Sequence, residues 1–265
     1  MKPIIVTLLA LSLVSCKDLF QFSPNEVRLE EHEKNLNQKN IQKIQSMHPR
    51  ENFRFILIGD SQRFYDEVED FVASANTLDD IAFVVLAGDI TDFGLNKEYR
   101  WIADRLNKLK MPYIGVIGNH DMLANGREAY RQMFGQENFS FTYAGTKIVC
   151  LNTCSNERGF DGTIPDMPWL TKELSDTLSY ENAFVVSHMP PFDAGFDKRM
   201  EQSYAQLMSS SKRIRLSLHG HKHTALRTSP YGDGFEYLVT GSMSKRAYYI
   251  ISVGEKGYHI EERDY

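Results

Sequence analysis

The sequence predicts an α/β fold built on parallel strands, and three observations lead there. Short apolar runs alternate with helical stretches through the first half of the chain, the pattern of strands joined by helical crossovers. Crossovers of this kind are right-handed and impose parallel pairing. Several apolar runs then stop at a glycine followed by an acid or an amide: Gly59-Asp60, Gly88-Asp89 and Gly118-Asn119. Ligands of parallel sheets gather outside the carboxyl ends of the strands, so these stops mark one functional edge. With 265 residues, 42% of them hydrophobic, the chain can bury one large core and carries no compositional sign of disorder.

The N-terminus reads as an export signal. Lys2 precedes the apolar run Ile4 to Val14, which ends at Ser15-Cys16. That is a basic segment, a short apolar core and a small residue, too short for a spanning helix of about 20 apolar residues. Leu13-Val14-Ser15-Cys16 resembles the bacterial lipoprotein signal, which implies cleavage after residue 15 and acylation of Cys16. The expectation is a signal peptide over 1–15, an anchor and polar spacer over 16–50, and the main compact domain over 51–265. The product would be exported and lipid-anchored to a bacterial membrane, on its periplasmic or surface face. Glu26 to Met47 suits a helix, but its apolar residues are too sparse for a broad stripe. Residues 17–50 are therefore either a spacer or a helix packed on the outside of the core.

From Phe53 the elements follow in order. Phe53–Ile58 is a buried-type strand, and a helical stretch covers 64–78. Strand 81–87, helix 96–109 and strand 112–117 come next. Residues 138–144 and 147–152 form a hairpin about Gly145. Helix 168–178 precedes strand 183–187, which ends at His188 and is closed off by Met189-Pro190-Pro191. Helix 200–210 leads to strand 213–218 and the cluster His219-Gly220-His221-Lys222-His223. Three or four strands with glycine turns complete the chain. Cys150 and Cys154 lie in a segment that begins as a strand, where four extended residues separate Cα atoms by about 13 Å, beyond disulfide reach. Two free thiols are expected.

A net charge of -5 leaves no basic field for holding nucleic acid by its phosphates, so none is expected as a partner. The residues at the strand ends carry the chemistry instead. Asp60, Asp89, Asn119, His188, His221 and His223 supply two carboxylates, an amide oxygen and three imidazoles. That mixture suits Mn, Fe or Zn, whereas a calcium site would be all oxygen. His221 and His223 are two residues apart, so an extended backbone projects both to one side. A bridging carboxylate in such a set can hold two ions about 3.5–4 Å apart, as in two-metal hydrolysis of phosphate esters.

In this order the motifs resemble the calcineurin-like metallophosphoesterase family: Gly59-Asp60, Gly88-Asp89-Ile90-Thr91-Asp92, Gly118-Asn119-His120-Asp121, His188, then Gly220-His221-Lys222-His223. The resemblance runs from about Phe53 to Tyr249. It implies a four-layer α/β/β/α sandwich with two central mixed sheets, and two divalent metal ions. One ion would be held by Asp60, Asp89 and His223, the other by Asp89, Asn119, His188 and His221. A metal-activated hydroxide would attack phosphorus, with His120 facing the phosphate and Asp92 orienting its other ring nitrogen.

Two departures from the family pattern matter. Gln62 stands where the family usually has histidine; its carbonyl can ligate, but as a neutral, harder and weaker donor that tolerates Mn. Phe93 stands where protein phosphatases of the family carry a phosphate-gripping arginine, which favours small-molecule or lipid-like esters over phosphoproteins. Arg63, beside Gln62, can reach a substrate phosphate or lie on the surface. The expected activity is hydrolysis of a phosphomonoester or phosphodiester. The alternative is a lipid-anchored binding or scaffold protein with a relic metal site, supported by Gln62 alone.

Overall fold

A computed structural model describes residues 23, 25–176, 178–255 and 257–265. Residues 1–22, with the expected signal and Cys16, lie outside the described residues. The first long element is α1 (Leu36–Ser46). It is the packed helix of the two readings above: Leu36 and Ile44 are buried. Asn37 makes a two-way bond with the backbone of Gly115, Nδ2 donating to its carbonyl at 2.8 Å and Oδ1 accepting from its N–H at 2.9 Å. The compact unit thus begins before residue 51. The sparse stripe of α1 suffices because Asn37 supplies polar contacts that hydrophobic periodicity cannot register.

The next elements are β1 (Phe53–Ile58), α2 (Tyr65–Ala75), β2 (Ile81–Leu86), α3 (Asn96–Leu106) and β3 (Tyr113–Gly115). A further helix, α4 (Gly126–Met133), was not expected from sequence. Only Ala129, Tyr130 and Met133 form its buried apolar face, amid charged residues and after Asn125-Gly126, which reads as a turn. The hairpin follows as β4 (Phe139–Tyr143) and β5 (Thr146–Leu151). Then come α5 (Met167–Ser175), β6 (Asn182–Ser187), α6 (Lys198–Ser209) and β7 (Ile214–His219). Four strands end the chain: β8 (Leu226–Thr228), β9 (Tyr237–Val239), β10 (Ala247–Gly254) and β11 (Gly257–Asp264).

These strands form two mixed sheets, ordered β11-β10-β1-β2-β3 and β4-β5-β6-β7-β9-β8. In the first sheet β1, β2 and β3 are parallel, with β10 and β11 added antiparallel. In the second, β5, β6, β7 and β9 are parallel, with β4 and β8 antiparallel at the edges. Side chains alternate across each strand, and the three buried clusters follow that alternation. Phe55 and Leu57 face Phe184, Leu216 and Leu218 between the sheets, while Ile56 and Ile58 face Phe71, Tyr99 and Ile102 of α2 and α3. On the far side Val149 and Val185 pack on Leu170 of α5 and Tyr204 of α6. The result is the four-layer α/β/β/α sandwich. Phe55 is central to the inner layer, stacked on Phe83 at 5.2 Å and edge-on to Phe184 at 5.5 Å; its truncation to alanine would cost about 3–5 kcal/mol.

Cys150 and Cys154 are both buried and free, and burial pushes each thiol pKa well up. Among the described residues no helix is long and apolar enough to cross a membrane.

Candidate metal centre

The carboxyl ends of β1, β2 and β3 meet those of β6 and β7 at one edge of the sandwich. The backbone ladder continues a little beyond the strands: Asp60 N–H donates to the Gly88 carbonyl at 3.1 Å, and Gln62 N–H to the Asp89 carbonyl at 3.0 Å. The chain then turns sharply. Asp60, Asp89, His221 and His223 all have positive φ, between 52° and 73°. Non-glycine residues avoid this region and cost of order 1–3 kcal/mol each there. Strain at four neighbouring positions marks a place where side-chain direction outweighs backbone comfort. Gly118 is held to glycine by contact rather than dihedral: a Cβ would fall 2.1 Å from the Asp89 nitrogen.

Two groups of donor atoms result. In the first, ligand atoms of Asp60, Asp89 and His223 all lie within 4.8 Å of one another. His223 Nε2 is 3.3 Å from Asp60 Oδ1. Gln62 is buried against it, with Nε2 3.4 Å from His223 Nε2 and its carbonyl oxygen buried without a partner. In the second, Asn119 Oδ1 lies 3.0 Å from both His188 Nε2 and His221 Nδ1, and His188 Nε2 is 3.2 Å from Asp89 Oδ2. Asp89 therefore belongs to both groups. All seven sequence-predicted ligands are brought together.

The residues fit divalent ions on two counts. Donor separations of 3.0–3.3 Å match the edges of a coordination shell with metal–ligand distances of about 2.1 Å. The orphaned Gln62 oxygen is a buried acceptor awaiting a partner. Ring orientations agree. His188 Nδ1–H donates to the Ala87 carbonyl at 2.7 Å, which leaves Nε2, aimed at Asp89 and Asn119, as the nitrogen that would give up its proton and ligate an ion.

Electrostatics without metal express the same crowding. Burial opposes the charge of His188, yet the Asp89 carboxylate beside it, with Asp60 and the Ala87 carbonyl, raises its pKa to about 10. Burial likewise opposes Asp89, and His188 holds it below the ordinary carboxylate value. Hydrogen bonding to Asp60 raises His223, despite burial. Burial and the neighbouring His188 lower His221.

His120 and Asp92 sit beside these groups. His120 opens a single 3-10 turn (His120–Met122), its N–H donating to Asp89 Oδ1 at 3.0 Å. Its Nδ1–H donates to Asp92, but to the backbone carbonyl, at 2.7 Å. The Asp92 carboxylate is farther, at 3.6 Å, and carries a salt bridge to Arg63. Asp92 thus meets that ring nitrogen through its main-chain carbonyl, with its carboxylate standing farther off. Arg63 is a half-exposed partner of Asp92 at the rim of the centre.

Two further acids support the centre. From sequence Asp121 has no chemical role beyond supporting its loop by hydrogen bonds, and the structure places it fully buried beneath the centre. Its carboxylate accepts from the N–H groups of Gly118 (2.8 Å), Ile90 (3.1 Å) and Thr91 (2.9 Å), and from Thr91 Oγ1 (2.8 Å). Burial and the nearby Asp89 push its pKa up to about 6, against the pull of those donors. Asp193 was missed altogether. Its Oδ1 lies 3.3 Å from His221 Nε2, and Oδ2 lies 2.5 Å from Lys222 Nζ. The only signal was an acid in the loop after Met189-Pro190-Pro191.

Comparison with known proteins places this geometry. The family model described as calcineurin-like phosphoesterase matches residues 53–225, more than half of the chain. A probable cyclic nucleotide phosphodiesterase of Synechococcus is 25% identical over 154 residues, covering 54% of this chain and 58% of that protein. A probable glycerophosphodiester phosphodiesterase of Arcobacter nitrofigilis is 23% identical over 158 residues, covering 55% and 58%. The matches thus span under two thirds of either relative. Among solved structures, a dimetal phosphatase from Danio rerio superposes with a TM-score of 0.64 at 14% identity, covering 82% of this chain and 100% of that one. A purple acid phosphatase from yellow lupin gives 0.67 at 13%, covering 80% and 51%. These two likenesses concern the fold. The family model, matched across the strands and turns that supply all seven donor residues, decides membership: the chain belongs to the calcineurin-like phosphoesterase family.

Proposed function

We propose that this protein is a metal-dependent phosphoesterase that hydrolyses small-molecule or lipid-like phosphate esters. The observation that carries the reading is the shared position of Asp89. It stands between the Asp60–His223 group and the Asn119–His188–His221 group, with His120 bonded to its carboxylate. Asp60, Gln62, Asp89 and His223 would hold one divalent ion, and Asp89, Asn119, His188 and His221 the other. Bound there, two ions would supply Lewis-acid stabilisation of phosphoryl charge and an acidified water as nucleophile.

The chain's own residues supply the rest. His120 is fixed by the Asp92 carbonyl through Nδ1, so Nε2 is the nitrogen available to a substrate oxygen. In protonated form it donates to the departing alkoxide, a role worth about 10²–10⁴ in rate. Asn119 is paired with His188 beside it, and Asp121 holds the Asn119–His120 turn to the Ile90–Thr91 turn. The names of the two relatives favour a diester over a monoester. Gln62 was the one support for a scaffold with a relic site, and its unpartnered buried oxygen suits a ligand better. Export and acylation at Cys16 belong to the same proposal, and mass analysis of the mature N-terminus tests them.

The experiment is hydrolysis of a phosphodiester and a phosphomonoester by protein loaded with Mn or Zn, with metal content measured in parallel. The reading expects turnover by the wild type, and its loss in His120→Ala with metal retained. Metal-loaded protein that cleaves neither class of ester would sink it.

A further inference from the structure

Two residues with exposed apolar side chains lie close to His120 along the backbone that holds it. Phe93 is 58% exposed and Leu123 41%, two of only five large hydrophobic residues so open among the described residues. Single exposed apolar residues are ordinary, so position decides their meaning. The Asp92 carbonyl that accepts from His120 Nδ1 is bonded directly to the Phe93 nitrogen, which places the Phe93 Cα roughly 3 Å from that oxygen. Leu123 N–H donates to the His120 carbonyl at 3.3 Å. Phe93 therefore follows the residue that anchors the imidazole, and Leu123 is bonded to the main chain of the same histidine.

Their backbones are fixed although their side chains are open. Phe93 N–H donates to the buried Glu98 carboxylate at 2.9 Å, which also accepts from Leu95 N–H at 3.2 Å. Gly126 N–H donates to the Leu123 carbonyl at 2.7 Å. The two loops press together at glycines: a Cβ on Gly94 would lie 2.4 Å from the Leu123 oxygen, and one on Gly126 would lie 2.5 Å from the Gly94 Cα. Rigid loops that present apolar side chains to water lower the ordering cost of binding something apolar. In hydrolysis a water oxygen bonds to phosphorus and the bond from phosphorus to the alcohol oxygen breaks. The departing oxygen takes a proton from His120, which water makes good, so that ester and water give alcohol and acid phosphate. The organic part of the alcohol then lies on the His120 side.

We propose that Phe93 and Leu123 form a subsite for the apolar part of the leaving alcohol, so that aryl and alkyl esters are preferred over small polar ones. The proposal rests on the phosphoesterase reading and narrows its substrate class.

The test uses non-hydrolysable probes on metal-loaded protein. Binding of phenylphosphonate and methylphosphonate is measured by calorimetry for the wild type, Phe93→Ala, Leu123→Ala and the double variant. The wild type should bind phenylphosphonate about tenfold tighter or more, in line with hydrophobic discrimination in other sites. That ratio should fall toward one in the double variant, with thermal unfolding confirming an intact fold. Equal affinities in the wild type, an undiminished ratio in the double variant, or no binding of either probe would overturn the subsite. Ester hydrolysis measured alongside separates the two readings. Tail-dependent binding without turnover keeps the subsite and loses the reaction; turnover without tail dependence does the reverse.

Discussion

His221 Nε2 stands 3.3 Å from Asp193 Oδ1, while the other nitrogen of the same ring faces Asn119 Oδ1 at 3.0 Å. A carboxylate behind an imidazole fixes the ring's tautomer and direction, and loss of such a partner costs about 10–100-fold in metal affinity. Asp193→Asn should therefore weaken metal binding by that factor while the fold persists. Chelator competition reads the affinity; an unchanged value would remove Asp193 from the centre.

Asp89 and Gln62 should differ sharply. Asp89 touches both donor groups, whereas Gln62 contributes to one. Asp89→Asn should lower kcat/KM by more than the about 100-fold typical of outer partners, and Gln62→His should keep or raise metal affinity. Steady-state kinetics at saturating Mn checks both. Equal losses in the two variants would contradict the division of ligands.

Metal binding should release a proton. In the metal-free protein His188 stays protonated up to about pH 10, and an ion needs the lone pair of that nitrogen. The sign follows: below pH 10 the proton competes, so affinity rises with pH, by about tenfold per unit for one proton displaced. Calorimetric titrations at two pH values, in buffers of different ionisation heat, measure the release. A flat affinity between pH 6.5 and 8.5 would exclude it.

Asp121 should matter to stability first and to chemistry second. Asp121→Ala leaves the N–H groups of Gly118, Ile90 and Thr91 without their buried acceptor. At about 1–3 kcal/mol for each such group, a loss of about 3 kcal/mol or more is expected. Urea unfolding of the metal-free protein measures it, and a change under 1 kcal/mol would mean that the turns hold without the carboxylate.

Much of this was legible in the sequence, for a reason seen in β1 and β2. A parallel strand is buried on both faces, so its apolar run is unbroken, and its end is announced by glycine. Asp60, Asp89, Asn119 and His221 could be picked out because each directly follows such a glycine, His188 because it closes an apolar run, and His223 because it lies two residues past His221. Nothing comparable announces α4, whose buried face is three residues wide, or α1, whose seat depends on Asn37 and Gly115.

The division between chain and fold is sharpest within Gly118-Asn119-His120-Asp121. The order of residue types there is a local property, and by itself it determined a candidate ligand, a candidate acid and the family resemblance. Tertiary structure decided what each side chain meets: Asn119 between two imidazoles, His120 on the Asp92 main chain rather than its carboxylate, Asp121 beneath two turns. Asp193 beside His221 and the approach of Gly94 to Leu123 belong to the same class. Those meetings join residues 28 to 102 positions apart, and separations of that size are set by how the sheets pack, which no local pattern records.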